Sequence, residues 1–156
     1  MSARKSGWLR KSLWFFIPLA LFVLWWVVPT LNKARLDAQV RELCAKDGGI
    51  KVYEMVSLPR EMFDKYGVVS IPACSELAAS DAYCYGRDMS YYAEGNPSLW
   101  RLHFAVIRRR DGKLLGESIS YARRGGDPFG PWHDSSFGCP DHADISDLKI
   151  KIFSMK

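Results

Sequence analysis

From Leu13 to Leu31 the chain runs 19 residues without a charge, LWFFIPLALFVLWWVVPTL. As a helix this stretch is about 28 Å long, close to the hydrocarbon thickness of a bilayer. A helix on the surface of a soluble core would show a polar face. Here Thr30 is the only hydroxyl and no polar face exists. Trp8 and Trp14 lie toward one end and Trp25 and Trp26 toward the other, as interfacial indoles do. Pro18 falls in the first turns, where a missing N–H costs least, and Pro29 is expected to bend or end the helix. The run is longer than a signal-peptide core of about 7–15 residues, and no small-x-small cleavage site follows it. The expectation is an uncleaved anchor.

The charge divides around this span. Of 22 Lys and Arg, four (Arg4, Lys5, Arg10, Lys11) precede the span, where there is no acid. The rest of the chain sets 18 basic residues against 17 acidic ones, so the net +5 is mostly an N-terminal property. That near-neutral remainder argues against a nucleic-acid interface. The positive-inside bias is modest but favours an N-terminus in the cytoplasm with the rest outside, which is the periplasm if the source is a Gram-negative bacterium. The expected organisation is a cytoplasmic tail (1–12), a transmembrane helix (13–31), a stalk helix (32–47) and an exported domain (48–156).

All four cysteines lie beyond the span, and an even number outside a reducing compartment predicts two disulfides. Three pairings are possible. The nested one, Cys74–Cys84 with Cys44–Cys139, is preferred because it closes one local loop and one long one.

The exported part, 48% hydrophobic and 25% charged in the chain as a whole, is rich enough in apolar residues to fold. Leu36, Val40, Leu43 and Cys44 form one stripe of a stalk helix that Gly48-Gly49 stops. Ile50–Val56 reads as a strand, Pro59–Tyr66 and Ser75–Ser80 as short helices, and Tyr83–Tyr92 as a strand broken at Gly86. Leu99–Arg109 and Lys113–Arg124 flank Asp111-Gly112, a two-residue type I′ hairpin signal. That turn pairs Trp100 with Arg123, a cation–π contact, and Phe104 with Ile119 on a core face. His103 then faces Ser120, on a face of small polar residues. Asp127–Asp144 reads as a loop and Leu148–Phe153 as a final strand. The fold class is α+β: a transmembrane and stalk helix, then a small antiparallel-sheet domain with disulfides.

No catalytic constellation is visible. His103 near Ser118 and Ser120 lacks a nucleophile elbow. Arg123-Arg124-Gly125-Gly126-Asp127 lacks the Lys-Ser/Thr of a phosphate loop. His133, Asp134, His142 and Asp144 surround Cys139 and are the metal candidates, although the His-x8-His spacing with one Cys matches no familiar zinc module. A polar loop of turns and caps accounts for the same residues. His103, the Arg108-Arg109-Arg110 hairpin tip, Tyr91, Tyr92 and Trp132 are the candidates for an interaction surface, since aromatic and Arg side chains favour interfaces. Tyr83, Tyr85, Phe129 and Phe137 extend this aromatic set, which equally suits a small core.

The segment Cys44-Ala45-Lys46-Asp47-Gly48-Gly49-Ile50-Lys51-Val52-Tyr53-Glu54 after a single span, with Gly116-Glu117, Tyr121 and Cys139-Pro140, resembles uncharacterised single-pass membrane-anchored proteins of proteobacteria. The resemblance implies an inner-membrane location and transfers no activity. The expected function is a non-enzymatic module that binds an envelope protein partner and needs no cofactor. The alternative is a metal- or small-ligand-binding domain that uses the 133–144 loop.

Overall fold

The computed structural model describes residues 6–76, 78, 80–128 and 133–156, with the backbone alone for residues 6–13 and 15. Helix α1 spans Ser6–Asp47 without interruption, and both Pro18 and Pro29 lie inside it. The stalk is thus the second half of one long helix. Next to Pro29, the Thr30 hydroxyl donates to the Trp26 carbonyl at 2.8 Å, a side-chain bond where the proline removes a backbone donor.

The two halves of α1 meet different surroundings. From Phe16 to Val28 every side chain is exposed, and none of the apolar window is covered by the domain. It is the one helix among the described residues long and apolar enough to cross a membrane. Further on, Val40 is fully buried, and Leu43 and Cys44 pack beside it against Leu99, Ile119 and Tyr121. Of the stripe read from the sequence, Val40, Leu43 and Cys44 dock on this core. The helix ends at Asp47; a Cβ on Gly48 would lie 2.8 Å from the Cys44 backbone, and Gly49 follows with φ +118°.

The main sheet contains β1 (Gly49–Val52), β3 (Tyr83–Ala93), β4 (Ser98–Arg108), β5 (Lys113–Arg124) and β6 (Ser136–Cys139). Its order is β1-β5-β4-β3, with β6 pairing β5 beside β1, and every pairing is antiparallel. A second, two-stranded sheet joins β2 (Val56–Leu58) in parallel to β7 (Phe153–Met155). Helix α2 (Ile145–Ile152) lies next to β7. Leu148, Ile152, Phe153 and Leu58 pack with Phe104, Val106 and Leu115 on the sheet face opposite α1. The main sheet is therefore a middle layer with a core on each face. Both disulfides form in the nested pairing: Cys44–Cys139 ties α1 to β6, and Cys74–Cys84 ties a loop to β3.

The hairpin corrects the expected register. Arg108 pairs with Lys113, so the loop holds four residues, Arg109–Gly112, instead of two. A type I′ turn needs positive φ at both central residues. Only Gly112 has it, with φ +66°. The Asp111 carboxylate instead accepts from Arg108 Nε at 3.1 Å and Lys113 N at 3.2 Å, which closes the wider loop. A bulge then leaves Leu115 unpaired between Leu114 and Gly116. Its carbonyl accepts from the amides of Tyr53 and Glu54 at 2.8 and 3.0 Å. One extra residue turns the rest of β5 over. Phe104 consequently faces Ser118, His103 faces Ile119, and Trp100 faces Ala122. The expected Trp100–Arg123 and His103–Ser120 contacts do not form.

Other expectations also change. Leu148–Ile152 is helical, because Asp144 caps α2 by accepting from the Asp147 amide at 2.8 Å. Ile150, which a strand would bury with Leu148 and Ile152, is 52% exposed. β3 runs unbroken through Gly86. The strand expected over Ile50–Val56 divides into β1 and β2 where Tyr53 and Glu54 bond Leu115. Of the helix expected at 59–66, one 3-10 turn forms (Arg60–Met62), and Asp64 Oδ1 then takes the amides of Tyr66 and Val68. At Ser75–Ser80, Glu76 N closes a turn on Ala73 O, while Leu77 and Ala79 lie outside the described residues. The loop expected over 127–144 contains β6.

Candidate functional site

The bulge at Leu115 decides what surrounds His103. On the α1 face, beyond the end of that helix, His103 Nε2 lies 3.0 Å from Glu117 Oε2. Tyr53 donates to Glu117 Oε1 at 2.5 Å, and Lys51 Nζ is 3.8 Å from the same oxygen. The Tyr53 hydroxyl, then His103 and Lys51, hold the Glu117 carboxyl below its usual range. The same carboxylate pushes the Tyr53 phenol up. An ionised carboxylate with both oxygens occupied, beside a phenol kept protonated, supplies a fixed hydrogen-bond network.

The hairpin tip spends much of its charge internally. Arg108 donates to both oxygens of Glu54, at 2.6 and 3.1 Å, and to Asp111. Lys113 Nζ adds a contact to Glu54 at 2.6 Å. Hydrogen bonds from Arg108 and then Lys113 lower the Glu54 pKa to about 2. Arg109 Nη1 donates to the Ala78 carbonyl at 2.7 Å, and Arg110 is exposed.

The metal candidates do not converge. Asp144 is committed to capping α2, and Cys139 to its disulfide. His142 turns with φ 59° beside them, and His133 and Asp134 are exposed before β6. Among the described residues no three His, Cys, Asp or Glu side chains are grouped to hold a metal ion. A shallow cleft of about 360 Å³ does open here, lined by Leu102, Ser120, Ala122, Pro140, His142 and Asp144.

The aromatic candidates divide between the two faces. Tyr91 packs on Trp100 with centroids 6.4 Å apart, and Tyr92 on Tyr121 at 6.0 Å, across the sheet. Trp132 lies outside the described residues. Met89, Tyr91, Trp100 and Leu102 share one face through the β3–β4 register, where Leu102 packs against the α2 core. Beside them the outer edge of β3 is bridged only at Tyr85, to Ala73, among the described residues. From Arg87 to Tyr92 each side chain of this strand is exposed. Among the described residues β3 is thus an edge strand whose exposed aromatic side chains adjoin a partly exposed sheet face.

Sequence reasoning missed the residues that fix the domain to the helix. Arg123 is 1% exposed and donates to Asp37 at 2.6 Å. Its Nη1 also donates to the carbonyls of Gly125 and Ser135. Lys33 Nζ meets Asp127 Oδ1 at 2.8 Å. Opposite charges 86 and 94 residues apart carry no local signal. Comparison with known protein families, curated proteins and solved structures gives no match.

Proposed function

We propose that this is a bitopic inner-membrane protein whose N-terminus is cytoplasmic and whose periplasmic domain is a non-enzymatic, partner-binding module of an envelope complex. The exposed apolar half of α1 supports the anchor, and the basic tail supports its orientation. The observation that carries the binding role is the open edge of β3, where Met89, Tyr91 and Tyr92 are 38%, 52% and 53% exposed. An extended segment of a partner added there gains main-chain hydrogen bonds along the strand, and the Tyr91–Trp100 face reads its alternate side chains.

A reporter active only in the periplasm, fused after Lys156, is expected to be active. Activity only in a cytoplasmic reporter overturns the orientation. A photo-crosslinking residue at Met89 or Tyr91 in the full chain is expected to capture one discrete envelope protein, whereas the same residue at Ser57 on β2 captures none. Equal capture from both places, or none from β3, overturns the edge as the binding site.

The cleft beside His142 favours a second reading, a small ligand held by the 139–144 loop. Calorimetric titration of the full chain in mild detergent with zinc and copper, repeated with His142→Ala, tests its metal form. Stoichiometric binding lost in the variant would support it.

A further inference from the structure

Just past the apolar run, two loops of the domain close on α1. The Gly126 amide donates to Asn96 Oδ1 at 2.7 Å, and Asp127 meets Lys33. Between these loops and the helix lies a cleft of about 580 Å³. Its lining changes character along the helix axis: Val28, Pro29 and Leu31 at one end, Asn32, Arg35 and Asn96 toward the other. Arg35 stands four residues beyond Leu31, a rise of about 6 Å. Each polar layer of a bilayer is about 5–7 Å thick. If the hydrocarbon ends near Leu31, Arg35 lies level with the lipid phosphates.

The charges in the cleft leave one cation unspent. Asp127 also lines it, but its carboxylate is saturated by Lys33, by the Ser135 amide at 2.6 Å and by the Ser135 hydroxyl at 3.0 Å. Arg35 is exposed and makes no hydrogen bond or ion pair with a described residue. Asn96 uses its carbonyl oxygen on Gly126, and its amide donors meet no partner among the described residues.

We propose that this cleft binds one membrane phospholipid, its phosphate on Arg35 with the Asn32 and Asn96 amides and an acyl chain along Val28 and Leu31. The lipid then fills the angle between the anchor and the domain and holds the domain against the membrane surface. The proposal rests on the membrane-spanning reading of α1.

The test uses the full chain, extracted from membranes in mild detergent, offered phosphatidylglycerol and weighed by native mass spectrometry. One phospholipid adduct per chain is expected. Arg35→Ala should lower its occupancy about five-fold, the weight of one cation at a lipid surface. Arg60→Ala, on a remote 3-10 turn, should leave it unchanged. Arg35→Lys should recover part of the loss. Because Arg35 has no partner among the described residues, the melting temperature of Arg35→Ala should match wild type. Excess inorganic phosphate should not displace the adduct; displacement would mean a free-anion site and overturn the lipid assignment. Unchanged occupancy in Arg35→Ala overturns the site. Loss of the chain from carbonate-washed membranes would instead overturn the anchor, so the two failures are distinguishable.

Discussion

Arg123 of β5, buried in the sheet, donates from Nε to Asp37 of α1 at 2.6 Å, on the half of the helix that has left the apolar run. This pair joins the domain to α1, and the cost of opening it is asymmetric. Removing one partner strands a desolvated charge, whereas replacing both with apolar groups need not destabilise. Asp37→Ala should lower unfolding stability by about 3 kcal/mol in detergent. Asp37→Leu combined with Arg123→Met should recover most of that loss. Denaturant melts of the three chains check this, and additive losses in the double variant would mean that the pair contributes more than its charge balance.

The sheet carries a core on each face, so substitutions on both should be costly. Phe104→Ala, facing α2, should cost about 3–5 kcal/mol, and Ile119→Ala, facing α1, about 2–5 kcal/mol. His103→Ala should cost about 1 kcal/mol, because Glu117 keeps Tyr53. Gly116→Ala should cost about 1–3 kcal/mol, since its Cβ would lie 2.9 Å from both Ile152 Cδ1 and the Lys51 carbonyl. A harmless Ile119→Ala would contradict the docking of α1 on this face.

The disulfides should differ in weight by the loops they close. Cys44–Cys139 spans 95 residues and Cys74–Cys84 spans 10. Loop-closure entropy gives about 4.7 kcal/mol for the first and about 2.7 for the second. Paired Cys→Ser variants, compared by denaturant unfolding, should follow that order. Mass mapping of the non-reduced protein should show no free thiol.

Acid should loosen the contact between Asp127 and Lys33 of α1. Hydrogen bonds from Lys33, then from the Ser135 amide and hydroxyl, hold the Asp127 pKa at about 2 against an ordinary 3.8. A carboxyl with a depressed folded pKa stabilises above its unfolded value, and that contribution is lost as pH falls through the folded one. The contribution is thus complete above about pH 4 and falls away toward pH 2. Asp127→Asn should remove this part of the acid limb in a pH series of melting temperatures. An unchanged limb would show that the Lys33–Asp127 contact is not maintained in solution.

Length and period alone made α1, its docking stripe and the strands β4 and β5 legible, because each is written in neighbouring residues. A 19-residue uncharged run needs no partner to declare itself, and Leu36, Val40, Leu43 and Cys44 repeat at helical spacing wherever the helix docks. The preference for nested disulfides also rested on sequence separation, and the fold then brought those pairs together. Tertiary structure decided the rest. The bulge at Leu115 is held by amides of Tyr53 and Glu54, some sixty residues earlier, so nothing near Lys113 encodes it. That single residue moved Ser118 and Ser120 away from His103 and brought Glu117 to it. Leu148, Ile150 and Ile152 fit a strand by alternation. The Asp144 cap, and the space Gly116 leaves for Ile152, make the segment a helix. Opposite charges such as Asp37 and Arg123 find each other only after the sheet has brought two distant segments together, because Coulomb attraction depends on separation in space and not along the chain.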